Sequence, residues 1–292
     1  MVSVNQMKRV EARAPVRLDL AGGWTDVPPY TFDVGGEVVN VAINIHAHAS
    51  LEIDDDGRLS VNYRCDAPVG SGLGTTGAIN VALMAAINGA DNAEEAAYQF
   101  EALLGNTGGR QDQWAAKHGG FNHLIFIGDS VEEMPFDPPR SARFWLQKHL
   151  IVANTGIPHV SGDLHDAIWA KYAAKDEGVI EGLMTIRLAA RKMAQGLAQD
   201  RRDMVVESLH DICKGVDALD PALHDPFREV VNPLLESRNI AAWKALGAGG
   251  GGCVALLSGP GRQQAVISAC ESAGWDVLDW DYDDEGLSIS AN

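Results

Sequence analysis

Gly70-Ser-Gly72-Leu73-Gly74-Thr75-Thr76-Gly77 lies between Pro68-Val69 and the run TTGAINVALMAAINGA, which is apolar nearly all round. Read literally, Gly72 to Gly77 spells G-x-G-x-x-G, the dinucleotide fingerprint. That fold needs its glycines directly behind a strand, and an acid about twenty residues on at the end of the next strand. Asp91 has that spacing but stands between two helical patterns, and Pro68 parts the loop from the strand-like SVNYR. A second literal match, Gly247 to Gly252, precedes a strand instead of following one. The lysine-bearing phosphate loop fails too, since no Gly-Lys-Ser/Thr follows. What remains is physical. A glycine loop runs into a buried helix that starts near Thr75, and its free N–H groups and positive dipole end suit a phosphate. Thr75 and Thr76 add hydroxyls for phosphate or Mg²⁺. A glycine-rich turn capped by threonine accounts for the loop alone equally well.

Around this loop the pattern is α/β. The first sixty residues favour strands, with GGEVVNVAINIHAHASLEI a long β-branched run and Asp54 to Gly57 a turn. His46 and His48 alternate with apolar neighbours and are expected on one strand face. NAEEAAYQFEALLG reads as an amphipathic helix with Asn92 favouring its start. NTGGRQDQWAAKHGGFN reads as a loop, a short helix and a turn, and FNHLIFIG as a strand. VEEMPFDPPRSARF, rich in proline and charge, is the expected linker near residues 130–148. It divides the chain into lobes at 1–147 and 148–292. Beyond it HLIVANTG and GCVALLSG read as strands. Helices are expected near 163–175, 179–198 and 202–217, within PALHDPFREVVNPLLESRN and over GRQQAVISACESAG. A last strand region is expected at WDVLDWDYD, and its acidic end as a solvated turn.

A net charge of −17 argues against nucleic acid and anionic membranes as partners. It leaves room for a phosphate held by backbone amides in a local pocket. MVSVNQMKRVEARAPV has no long apolar core of a secretory signal. Cys65, Cys213, Cys253 and Cys270 are scattered and read as reduced thiols in a cytoplasmic protein. The histidines show no zinc spacing.

Three further stretches surround the loop's chemistry. APVRLDLAGGWTDVPPY (14–30) is a strand followed by a polar glycine turn that could grip a polyol. Glu101 to Gln113 carries acids on a helix and in a glycine loop. Gly247 to Gly252 lets backbone approach a ligand closely. Together these resemble the GHMP small-molecule kinases. Pro68 to Gly77 looks like their P-x-x-x-G-L-G-S-S-A phosphate motif, and Gly247 to Gly252 like their C-terminal glycine motif. "GGWTDVPPY" and "GGRQDQ" narrow the likeness to the branch of fucokinases and heptose-phosphate kinases.

The resemblance implies a two-lobed α/β (α+β) fold with a ferredoxin-like second lobe, and phosphoryl transfer from ATP with Mg²⁺ to a sugar hydroxyl. It matches Asp112 to the family's catalytic aspartate and Arg17 to the arginine beside it. Gly70, Gly72, Leu73, Gly74, Thr75 and Thr76 match the ATP-phosphate loop. Glu101 matches the Mg²⁺ glutamate, with Thr75 or Thr76 as hydroxyl ligand. Asp26 matches a sugar-binding aspartate, Trp24 either stacks on the sugar or packs in the core, and Gly249 and Gly250 are expected against substrate. Arg110, Lys117 and His118 flank the catalytic stretch. Arg110 or Lys117 reads a phosphate on the acceptor, or all three are exposed solubilising charges. His159 stays undecided. Gly77 replaces the motif's alanine, and Gly23 stands where galactokinases carry an acid, which disfavours galactose. The expected acceptor is the anomeric hydroxyl of fucose or a related sugar, or of a heptose phosphate. A non-sugar alcohol and a catalytically silent ligand sensor are the alternatives, and a homodimer is left open.

Overall fold

The computed structural model describes residues 8–54, 56–68, 70–106, 108–158 and 162–291. Two long strands organise the first half. β1 (Lys8–Ala21) and β2 (Gly36–Ile53) pair antiparallel from Lys8↔Ile53 to Ala21↔Val39. The register breaks at Pro15/Val16 and again at Asp19/Ala21. Proline cannot donate to the ladder, which accounts for the first break; a bulge re-aims side chains, and the second one falls beside Asp19. The one-turn helix α1 (Tyr30–Asp33) lies between these strands. β3 (Leu59–Cys65) pairs with the far half of β2, while β4 (Phe121–Ile127) pairs with its near half and hairpins to β5 (Ser130–Met134).

Three helices cover this sheet and carry the motifs. α2 (Thr75–Asn88) packs on β1 and β2, burying Ala78, Val81, Ala82, Ala85 and Ala86. Small side chains on that face bring its N-terminus close to β1. α3 (Ala93–Leu103) and α4 (Gln111–His118) lie against α2. Asn92 precedes α3 in the left-handed region, and its side chain makes no capping bond.

The second sheet follows the order β7-β8-β6-β9, all antiparallel. Its strands are β6 (Leu150–Asn154), β7 (Ile240–Ala245), β8 (Cys253–Ser258) and the two-residue β9 (Asp276–Val277). Its helices are α5 (Arg140–His149), α6 (Gly162–Ala173), α7 (Glu177–Ala198), α8 (Arg202–Leu219), α9 (Asp225–Glu236) after a 3₁₀ turn, and α10 (Gln263–Ser272). α7 buries Val179, Leu183, Ile186, Ala190, Met193 and Leu197 at helical spacing. It packs on β1, β2 and α8, and α8 packs on β7, so this hairpin bridges the sheets.

Three features depart from the pattern. The stretch expected as a linker holds β5 and α5, leaving only residues 135–139 irregular, and the 147/148 division falls within α5. β7 is a strand although IAAWKA carries little β-branched signal. The acidic chain end returns to the first sheet. Buried Asp283 takes His46 at 2.7 Å and bonds the Glu285 and Gly286 amides, after which β10 (Ser288–Ala291) pairs with β1.

Candidate active site

One cavity of about 640 Å³ gathers the motifs. One wall of it is the glycine loop. Gly70, Gly72 and Gly74 all hold positive φ, near 70–76°, where side chains are disfavoured. Gly74 is the N-cap of α2 and no side chain caps that helix, so its first amides are left toward the cavity. The loop is locked from behind. A Cβ on Gly72 would lie 2.5 Å from the Leu246 carbonyl, and the Cys253 amide donates to the Ser71 carbonyl at 2.8 Å. The two glycine-rich segments are therefore one unit, each making room for the other.

Arg17 ties this unit to α4. Its backbone amide donates to Leu73 O at 3.0 Å and its Nη1 to Gly72 O at 2.7 Å. Its Nη2 meets Asp112 Oδ1 at 2.6 Å. Arg17 is buried, while the Asp112 side chain stays partly open to the cavity. Asp112 sits in the first turn of α4, pressed on α2: Cβ atoms built on Gly77 and Gly74 would lie 2.6 and 3.0 Å from its side chain. The carboxylate thus stands over the uncapped end of α2.

Glu101, in the last turn of α3, is buried and lines the same cavity. It accepts from Asn106 Nδ2 at 2.8 Å and Gln113 Nε2 at 2.9 Å. Burial pushes its pKa up, and the charge of Asp112 adds to that. A cation beside it would favour the ionised form. Among the described residues no cluster of three or more His, Cys, Asp or Glu could cage a metal. One carboxylate with threonine hydroxyls and phosphate oxygens is instead the donor set that Mg²⁺ favours.

The turn after β1 forms the opposite wall. Asp26 is buried, accepts the Gln111 amide at 3.2 Å and fills the space a side chain on Gly109 would need. Burial, then Asp112 and Asp19, raise its pKa to about 7. Trp24 holds φ 83°, a strained value for a bulky residue. Its ring stacks on His165 of α6, centroids 5.0 Å apart. Trp24 therefore both lines the cavity and belongs to the core. His165 accepts the Trp169 indole N–H at 3.2 Å, and it lines the cavity with Asp166.

Other expected positions face elsewhere. Leu73 is fully buried behind the loop. Gly247 and Ala248 line the cavity, whereas Gly250 donates to the Leu223 carbonyl at 2.8 Å and Gly249 abuts Leu223. Arg110 is no solubilising charge. It is buried, bonded to Glu95 at 3.3 Å and Asp129 at 3.2 Å, and lies over the Tyr98 ring. Lys117 donates to the Ala90 carbonyl and His118 pairs with Glu133. His159 lies outside the described residues. The sequence reading passed over His165, Asp166 and Asp19, all of which line the cavity, and Lys244 behind Asp19. Asp19 lines the cavity and pairs with Lys244 of β7 at 2.7 Å, both buried. Strand alternation puts Asp19 on the Arg17 face, a legible signal; Lys244 lies on a strand that carried none.

The raised pKa of Asp26 makes a stability prediction. Between the unfolded value and about pH 7 the folded state binds the extra proton, so this group's contribution is full at low pH and lost as pH rises through 7. Asp26→Asn is expected to match the parent at pH 4 and exceed it by up to about 4 kcal/mol at pH 8. Urea denaturation at both pH values checks this; a parent–variant gap that does not widen would overturn the assignment.

The family of the GHMP kinases N terminal domain matches residues 37–120, from β2 through the glycine loop, Glu101 and Asp112 to the turn after α4. That match takes in the stretch that builds most of this cavity's first-sheet side. The chain is 24% identical to the D-glycero-alpha-D-manno-heptose 7-phosphate kinase of Campylobacter jejuni, covering 96% of this chain and 98% of that protein. It is 22% identical to the bifunctional fucokinase/GDP-fucose pyrophosphorylase of Arabidopsis thaliana, covering 87% of this chain and 30% of that one. The crystal structure of a D-glycero-D-manno-heptose 1-phosphate kinase from Bacteroides thetaiotaomicron shares the fold, with TM-score 0.78 at 21% identity over 96% of this chain and 98% of that chain.

Proposed function

We propose that this chain transfers the γ-phosphoryl group of ATP to a hydroxyl of a sugar or sugar phosphate, in the cytoplasm. The observation that carries this is the Arg17–Asp112 pair, set over the uncapped N-terminus of α2 in one cavity. We take the cleft to lie between a first lobe built on the sheet of β1, β2 and β4 and a second that contributes His165, Asp166, Gly247 and Ala248.

Each residue then has a task. The loop amides and the first turn of α2 hold phosphate oxygens. Asp112 receives the proton of the attacking hydroxyl at a carboxylate oxygen, or orients that hydroxyl. Arg17 balances the carboxylate and the charge of the transferred group. Asp26 binds an acceptor hydroxyl. Mg²⁺, held by Glu101 and a hydroxyl of Thr75 or Thr76, supplies charge neutralisation at the phosphates when bound. Arg110 and Lys117 are engaged elsewhere, so an acceptor phosphate would be gripped by other groups.

The test is a screen of fucose, related hexoses and heptose phosphates with ATP, reading ADP release and then the phosphorylated position by NMR. Turnover is expected on the anomeric hydroxyl of a deoxyhexose or a heptose phosphate. Turnover confined to cyclitols or amino-acid hydroxyls would move the assignment to a non-sugar kinase. Calorimetric binding of sugar and ATP without ADP release would make the chain a silent sensor.

A further inference from the structure

We propose that Asp19 and Gln111 are specificity-determining residues that accept hydrogen bonds from hydroxyls of the phosphoryl acceptor, so that the acceptor is a polyol presenting two O–H donors to the wall around Gly23. This rests on the kinase reading and extends it to which acceptor groups are read.

Both residues line the cavity and both are buried, Asp19 fully and Gln111 at 6% exposure. Each holds an acceptor oxygen, Asp19 Oδ1 and Gln111 Oε1, with no hydrogen-bond partner among the described residues. Orphaned buried acceptors are costly, and two on one cavity wall call for a ligand that brings donors. Lys244 holds the rest of the Asp19 carboxylate, and the main chain of Gln111 is held on both sides. Lys244 Nζ occupies Asp19 Oδ2 at 2.7 Å and also donates to the Ala245 carbonyl at 3.1 Å. The Gln111 amide is held by Asp26 and its carbonyl by Asn40 at 3.4 Å.

Gly23 stands between the two. A Cβ there would fall 2.1 Å from Asp19 Oδ2 and 3.3 Å from Gln111 Nε2. A side chain at 23 would thus fill the space beside both groups. The register break after Asp19 in β1 sets that carboxylate at the cavity end of the strand. Paired with an ammonium, Asp19 is a pure acceptor, and the neighbouring Asp26 can hold a proton near neutrality. The wall therefore offers acceptors and a donor side by side, the pattern adjacent hydroxyls satisfy. A site built this way rejects analogues that lack the hydroxyl.

Asp19→Asn tests it cleanly. Lys244 donates only, so it keeps the amide oxygen and turns the NH₂ toward the cavity, converting an acceptor to a donor at constant shape. The KM for the best sugar from the screen is expected to rise at least about tenfold, with the KM for ATP within about twofold. Asp19→Leu/Lys244→Met, which removes the buried charge pair and the acceptor oxygen altogether, is expected to show the same split and guards against misfolding of the single variant. Monodeoxy sugars add the decisive readout. The one lacking the hydroxyl that Asp19 reads is expected to be poor on the parent and no poorer on Asp19→Asn. Folded variants, judged by circular dichroism, with unchanged acceptor KM would overturn the proposal, as would equal sensitivity to Asp19→Asn across all monodeoxy sugars. If the parent binds a sugar but releases no ADP, the kinase reading fails. The same variants then decide the Asp19 assignment through calorimetric affinity for that sugar.

Discussion

Asp112→Asn is expected to lower kcat by about 10³-fold, the usual scale for removing a positioned acid–base group, with KM for ATP little changed. Asparagine keeps the shape and an oxygen for Arg17 Nη2, now 2.6 Å from the carboxylate. It loses the capacity to take the hydroxyl proton. A second readout comes with it. The charge of Asp112 contributes to the raised pKa values of both Asp26 and Glu101. Both are expected to fall in the variant, and carboxyl titration by NMR would show it. Full turnover in Asp112→Asn with the true acceptor would remove Asp112 from the chemistry and leave the site a binding cradle.

Gly77→Ala is expected to cost about 10²-fold in kcat through displacement alone, the scale of a misplacement near 1 Å. The built Cβ would lie 2.6 Å from Asp112 Cβ and 3.3 Å from the Asp112 backbone carbon. Relief therefore requires α4 to shift as a unit, carrying Asp112 away from Arg17. Overpacking costs about 1–3 kcal/mol, offset by about 1 kcal/mol from alanine's better helix propensity. The melting temperature is thus expected to move little while kcat falls. A parental kcat would show that the contact of α2 with α4 does not set the carboxylate's place. The alanine that the related motif carries at this position is, in this chain, incompatible with the observed seat of Asp112.

These two residues illustrate what was legible. Asp112 and Arg17 were marked by motif likeness, and the structure brings them together across 95 positions of sequence. Gly77 read as a mere departure, because nothing in a linear pattern tells which element will lean on a helix glycine. Arg110 read as surface charge, because composition cannot foresee that Glu95, Asp129 and the Tyr98 ring enclose it. At the second glycine segment the pattern placed the loop, yet packing against Leu223 decided that Gly247 and Ala248, rather than Gly249 and Gly250, face the cavity.

By itself the sequence determined the elements whose cause is local. Apolar runs, β-branching and helical spacing gave α2, α7, α8, β2 and β8, and clustered glycines marked both loops at the cavity. Tertiary structure alone decided the rest. It made a strand of IAAWKA by placing it beside β8, returned the acidic chain end to β1, and seated Lys244 on Asp19. Those outcomes depend on which buried groups find partners far along the chain, and the free energy of a desolvated charge or an unpaired strand edge has no signature in a local stretch of residues.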